Sequence, residues 1–83
     1  MRLDKYLKVS RIIKRRTVAN QACDASRVVV NGKPSKASYE VKIGDIIEIG
    51  FGEKKTTFEV LNINENSSKA AAQEMYKIMA KAE

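Results

Sequence analysis

The sequence contains no histidine, a single cysteine (Cys23), and no apolar run long enough to cross a membrane. Without histidine, the common metal sites and histidine-dependent acid–base catalysis are excluded. One cysteine cannot form an internal disulfide, which fits a reducing compartment. A membrane span needs about 20 apolar residues, and the charged chain start from Arg2 lacks the apolar core of a signal peptide. We therefore expect a cytoplasmic protein with no metal ion, no other cofactor and no membrane partner.

Acidic residues that could serve in catalysis are few and scattered. Asp24, Asp45 and Glu48 lie in different predicted elements, and Asp45 is better explained as a turn residue after Gly44. No nucleophile is paired with a base, and no group of side chains assembles a metal site. The sequence therefore predicts a protein that is not an enzyme and has no catalytic residues.

Positive charge is concentrated in one half of the chain. The 83 residues carry a net charge of +6, and residues 1–36 alone contain ten basic and two acidic residues, a net charge of +8. Such asymmetry indicates a polyanionic partner, either nucleic acid or an anionic membrane. A membrane-binding helix needs a broad apolar face opposite its charges, and here that face is small and required for the core. RNA is therefore favoured.

Apolar spacing predicts one small α+β domain over residues 1–64. Two helices are expected at residues 2–9 and 16–25, packed on a small, mostly antiparallel sheet of about four strands. Asn31-Gly32 is the strongest turn signal, because both residues tolerate positive φ. The predicted inner stripe of the second helix consists of small residues: Val18, Ala22 and Ala25, with Ala19 and Cys23 beside them.

The end of the chain has the spacing of a further helix. Its predicted apolar stripe consists of Ala72, Met75, Tyr76 and Met79. Ser67 or Ser68 would cap its start. Residues 65–83 are therefore expected to form a C-terminal helical extension of the domain.

Four cations surround the start of the second predicted helix: Arg11, Lys14, Arg15 and Arg16. Positive side chains at a helix N-terminus oppose the macrodipole, so local stability does not account for them. A bound phosphate accounts for these cations, because free backbone N–H groups and basic side chains can converge on it. The alternative is that these cations only solvate an exposed face. Lys33 and Lys36, after the Asn31-Gly32 turn, either extend the basic surface or solvate a loop.

Four ordered blocks of the sequence resemble a known RNA-binding domain: RLDKYL at 2–7, RRTVA at 15–19, VVVNGK at 28–33 and VKIGDI at 41–46. They are similar to the S-four (alpha-L) domain, named for a protein of the small ribosomal subunit. The resemblance implies two helices packed on a small sheet, with the helical face bound to structured RNA. Arg15 departs from the family pattern, which usually has a small hydroxyl cap there, and Ser26 departs from a frequent glycine.

The whole chain is most similar to the small stand-alone members of this family that act in bacterial ribosome-associated quality control. It is also similar to a small heat-shock relative that recycles free large subunits. The resemblance implies a protein that binds obstructed large ribosomal subunits through 23S rRNA and peptidyl-tRNA, and that supports alanine tailing by the partner RqcH. The alternatives are a rescue factor for free large subunits without tailing, and an accessory subunit of an RNA-processing enzyme. A monomer is the default expectation.

The charge pattern and the resemblance together predict the RNA-binding residues: Arg2, Asp4, Lys5, Lys8, Arg11, Lys14, Arg15, Arg16, Thr17, Asn20, Lys33 and Lys36. Arg2, Asp4 and Arg16 are the leading candidates among them. Asp4 is expected to orient an arginine or to accept a hydrogen bond from an RNA hydroxyl, since a carboxylate repels phosphate. Tyr6 could stack on a base, but its register with the apolar residues of the first helix favours the core.

Overall fold

The computed structural model describes residues 1–51, 53–63 and 69–79. Within these ranges the chain forms three helices and five strands, in the order α1 (Leu3–Val9), α2 (Arg16–Asp24), β1 (Val28–Val30), β2 (Lys33–Pro34), β3 (Ile46–Phe51), β4 (Lys54–Val60), α3 (Lys69–Gln73) and β5 (Tyr76–Ile78). None of these helices has the length and apolar character needed to span a bilayer. The predicted α+β class with two N-terminal helices is confirmed.

The strands form one antiparallel sheet in the order β2-β1-β3-β4-β5. The predicted turn between β1 and β2 is confirmed, because Asn31 and Gly32 have φ angles of 52° and 83°. The Asn31 side chain also accepts a hydrogen bond from the Ile46 amide at 2.9 Å and donates to Asp45 Oδ1 at 3.0 Å. This asparagine therefore ties the β1–β2 turn to the start of β3.

The core joins the apolar face of α1 to the central strands. Leu3, Tyr6 and Leu7 are fully buried in one cluster with residues of the sheet such as Ile47. The Tyr6 hydroxyl donates a 2.7 Å hydrogen bond to the carbonyl of Met75, so this side chain has a polar partner inside the core. The interpretation of Tyr6 as a core residue is confirmed.

The buried face of α2 is shifted by one position along the chain from the predicted stripe. Ala19 and Cys23 are buried, whereas Val18 is 45% exposed and Ala25 is exposed. Ala22 packs at the border of the core. The two buried positions carry small side chains because α2 packs directly against α1, where a larger side chain would separate the two helices.

The C-terminal segment contains the predicted helix, but that helix is short and a strand follows it, so Met75, Tyr76 and Met79 of the predicted apolar stripe lie beyond the helix. Helix α3 ends at Gln73, and Tyr76–Ile78 pairs with β4 as the fifth strand. The Tyr76 ring packs edge-on against Phe58, with centroids 5.3 Å apart and ring planes at 84°. Pairing with β4 also satisfies backbone groups that would otherwise line an open sheet edge. The predicted caps, Ser67 and Ser68, lie outside the described residues.

Candidate RNA-binding surface

The Asp4 carboxylate, in the first turn of α1, organises the polar surface at the helices. It is 2% exposed and accepts hydrogen bonds from the Lys5 amide at 2.8 Å, Arg16 Nε at 3.2 Å and Asn20 Nδ2 at 3.3 Å. Arg2 Nε lies 3.3 Å from the other side of the same group, at Oδ1. One buried carboxylate therefore holds two arginines and an asparagine in fixed positions. We call Arg2, Asp4, Arg16 and Asn20 the arginine cluster.

The fold brings these residues together from two places in the chain, the start of α1 and the helix α2. Arg16 and Asn20 are one helical turn apart, so they lie on the same face of α2. The start of α1 is fixed by hydrogen bonds from the amides of Leu3 and Asp4 to the carbonyls of Tyr39 and Ala37, at 2.8 and 3.2 Å.

The ionised form of Asp4 is stabilised despite burial. Burial works to raise the pKa of Asp4, but the hydrogen bonds from Arg16, the Lys5 amide and Asn20, together with the Arg16 charge, lower it below its ordinary value of 3.8. Asp4 is therefore a carboxylate at neutral pH and holds the guanidinium groups electrostatically.

Both arginines of the cluster keep part of their surface in water. The side chains of Arg2 and Arg16 are 51% and 46% exposed. A guanidinium carries five N–H donors, so its contacts with Asp4 leave donors that can reach a phosphate. The expectation that Asp4 orients an arginine is confirmed, and its burial prevents it from facing an RNA backbone directly.

The start of α2 carries further cations. Arg15 is the N-cap residue and has extended backbone angles, and its side chain makes no capping hydrogen bond to the described residues. Arg11 has a φ of 64°, an uncommon left-handed conformation for a residue with a side chain. Arg11, Lys14 and Arg15 are all exposed, and none forms an ion pair with a carboxylate in the part of the chain that the structure describes.

The remaining predicted site residues lie around the arginine cluster. Thr17 lines a shallow depression together with Asp4, Arg16 and Asn20. Lys36 is brought to the same cleft as Arg2 and Asn20. The others are exposed or half-buried at three separate positions: Lys5 and Lys8 on α1 and Lys33 on β2. Lys33-Pro34 forms a two-residue edge strand and not the loop that the sequence suggested.

One wall of that cleft is not predictable from the sequence. The end of β2 and the loop that follows it place Pro34, Ser35 and Ser38 opposite Cys23 and the end of α2. This loop has no alternation of apolar residues, so no local pattern indicates that it forms one side of a cleft. Its position follows from the backbone bonds to α1.

Two residues outside the arginine cluster have structural roles that match expectation. Asp45 accepts hydrogen bonds from the Tyr39 hydroxyl at 2.8 Å and the Lys42 amide at 2.9 Å, which confirms it as a turn residue. Cys23 is buried, and burial, with the nearby charges of Asp4 and Asp24, raises its pKa to about 11. Its thiol is therefore protonated at neutral pH and is not a nucleophile.

Comparison with known proteins identifies the family of the chain. The model of the S4 domain family matches residues 1–47, which include α1, α2 and the strands β1 and β2. The chain belongs to the S4 domain family. The arginine cluster and the cleft beside it therefore lie within the matched part of this S4 domain protein.

Similar proteins extend the likeness over nearly the whole chain. Relatives named RQC P-site tRNA stabilizing factor (RqcP) are 50% identical over 80 residues in Streptococcus pneumoniae and 47% identical over 79 residues in Bacillus subtilis. These matches cover 96% and 95% of this chain and 91% and 92% of the relatives. A solved structure of Vibrio cholerae Heat Shock Protein 15 superposes with a TM-score of 0.87 and 31% identity, covering 96% of this chain and 82% of that one. The name of the first two relatives describes them as factors that stabilize a P-site tRNA.

Proposed function

We propose that this S4 domain protein is a non-catalytic RNA-binding factor of bacterial ribosome-associated quality control. It binds large ribosomal subunits obstructed by a nascent chain and contacts both 23S rRNA and peptidyl-tRNA. By holding that tRNA in place it supports C-terminal alanine tailing of the stalled chain by RqcH. The protein acts in the cytoplasm. It binds as a monomer, because one chain carries the whole arginine cluster.

The arginine cluster is the observation that carries this proposal. Arg2 and Arg16 are restrained by a buried carboxylate, so binding RNA costs less side-chain entropy than ordering two free arginines. The exposed cations at the start of α2 lie next to Arg16 in sequence and add positive charge. This arrangement positions an RNA backbone but performs no bond chemistry, which fits a protein that stabilises a tRNA.

Substitution of Arg16 tests the proposal. Arg16→Ala removes one restrained guanidinium and should weaken co-sedimentation with large subunits that bear peptidyl-tRNA. Arg27→Ala is the matched control, because Arg27 is an exposed arginine outside the cluster and its loss changes the net charge equally. Equal co-sedimentation of the two variants would contradict the proposal. In cells, Arg16→Ala should also reduce the alanine tails found on stalled chains.

The dependence on salt provides a second measurement on the same proteins. If about six phosphates are neutralised, the logarithm of the affinity should fall with the logarithm of salt concentration with a slope of about −4 to −5. Arg16→Ala should decrease the magnitude of that slope by about 1, whereas Arg27→Ala should leave it unchanged. An affinity that does not change with salt would exclude phosphate contacts as the source of binding.

The likeness to Heat Shock Protein 15 favours one other candidate function, rescue of free large subunits without tailing. The two functions differ in the substrate that the protein retains. Affinity purification from cells should recover large subunits that carry peptidyl-tRNA if the first proposal is right. Recovery of large subunits without tRNA would favour the second.

A further inference from the structure

A cleft beside the arginine cluster is formed by the end of α2 and the loop after β2. This open cleft has a volume of about 560 Å³, and its lining includes Arg2, Asn20, Asp24, Pro34 and Lys36. This volume lies within the range of about 300–1,000 Å³ that is usual for small-ligand pockets. The cleft therefore has room for a single nucleotide.

The shape of the cleft is fixed by the fold. The Asp4 amide donates to the carbonyl of Ala37 and the Leu3 amide to the carbonyl of Tyr39, which ties the loop to α1. The Ser35 amide donates to a carbonyl of β1 at 3.1 Å. The loop wall of the cleft is therefore held by backbone hydrogen bonds to α1 and β1.

Asp24 is the cleft residue that does not suit a phosphate. Residues 1–36 contain two acidic side chains, of which Asp4 is buried among arginines and Asp24 is exposed as the last residue of α2. No ion pair to Asp24 occurs within the described residues. A carboxylate at a helix C-terminus is opposed by the macrodipole, so local stability does not account for it. It repels phosphate but accepts hydrogen bonds from the edges of bases.

We infer that this cleft is a subsite for one unstacked guanine of the bound RNA, with Asp24 accepting hydrogen bonds from the N1–H and N2–H groups of that base. The inference rests on the proposed RNA-binding function. Guanine presents two adjacent donors on its Watson–Crick edge, which match the two oxygens of a carboxylate. Adenine, cytosine and uracil place an acceptor beside the donor on that edge. Arg2 and Lys36 supply cations for the phosphates that flank the base.

Hairpin RNAs that differ in one unpaired nucleotide test this subsite. The full chain should bind the hairpin with an unpaired guanine about tenfold more tightly than those with adenine, cytosine, uracil or inosine, which lacks the N2 amino group. Asp24→Asn should reduce that preference to less than about twofold, since the second acceptor is lost. Glu74→Gln is the control, because Glu74 is an exposed carboxylate that does not line the cleft, and this variant should keep the preference.

The outcomes separate this inference from the proposed function. If the unaltered chain binds all five hairpins equally, or Asp24→Asn keeps the preference, the guanine subsite is wrong while RNA binding stands. If Asp24→Asn binds every hairpin more tightly by the same factor, Asp24 only repels phosphate and the subsite is again wrong. If the unaltered chain binds none of the hairpins at low salt, RNA binding fails and the subsite fails with it.

Discussion

Arg15 occupies the N-cap position of α2, but its side chain does not cap the helix. Replacing Arg15 by serine should therefore affect RNA binding and stability in opposite directions. As the N-cap of α2 it has φ −122° and ψ 134°, the extended conformation in which a serine hydroxyl bonds an amide of the first turn. Arg15→Ser should therefore raise the free energy of unfolding by about 1 kcal/mol relative to Arg15→Ala. For a domain of this size, that difference corresponds to about 4–8 °C in Tm.

The same substitution should weaken RNA binding. Arg15→Ser and Arg15→Ala each remove one cation, so both should lower the affinity for large subunits equally and decrease the magnitude of the salt slope by about 0.7–0.9. Urea denaturation and binding titrations over a range of salt concentrations measure the two effects. Equal stabilities of the serine and alanine variants would refute the inference that a serine at position 15 caps α2. An unchanged salt slope in both would refute a phosphate contact by Arg15.

Two further predictions concern stability alone. Ser26 follows α2 with a φ of 58°, a left-handed conformation that glycine adopts without strain. Ser26→Gly should therefore raise the free energy of unfolding, measured by urea denaturation, by about 0.5–1 kcal/mol. A decrease would show that the serine side chain is needed there. The pKa of Asp4 is lowered below 3.8 in the folded chain, so its contribution to stability is fully present above that value and is lost as the pH falls below it. Urea denaturation between pH 7 and pH 3 should therefore show that the unaltered chain loses stability below about pH 4 and that Asp4→Asn loses less. Equal loss of stability in the unaltered chain and in Asp4→Asn would contradict the role of the carboxylate.

The arginine cluster was only partly predictable. Motifs that resemble the S-four domain predict Arg2, Asp4 and Arg16, and Asp4 is expected to orient an arginine or to accept a hydrogen bond from an RNA hydroxyl. The sequence could not give the contacts of Asp4, because Arg16 and Asn20 are separated from it by 12 and 16 positions and meet it only after α1 and α2 pack. The RNA-binding role of every predicted site residue, including Arg2, Asp4 and Arg16, stays a prediction.

The C-terminal segment shows why local spacing was insufficient. Met75, Tyr76 and Met79 are spaced as on a helix, but tyrosine and isoleucine also suit a strand, and β4 offers an edge with which they can pair. Pairing depends on a partner elsewhere in the chain, so periodicity alone cannot choose between the two structures. The same limit applies to α2, where contact with α1 decides that Ala19 faces inward and Val18 outward.

The sequence by itself determined the features that depend on neighbouring residues. These are the charge of the first 36 residues, the existence of α1 and α2, and the Asn31-Gly32 turn, where the backbone preference of two residues sets the conformation. The tertiary structure alone decided which cations a carboxylate restrains, where the cleft lies, and that a fifth strand pairs with β4 at the edge of the sheet. Those features depend on contacts between distant parts of the chain, which form only when the core has brought the helices and strands together.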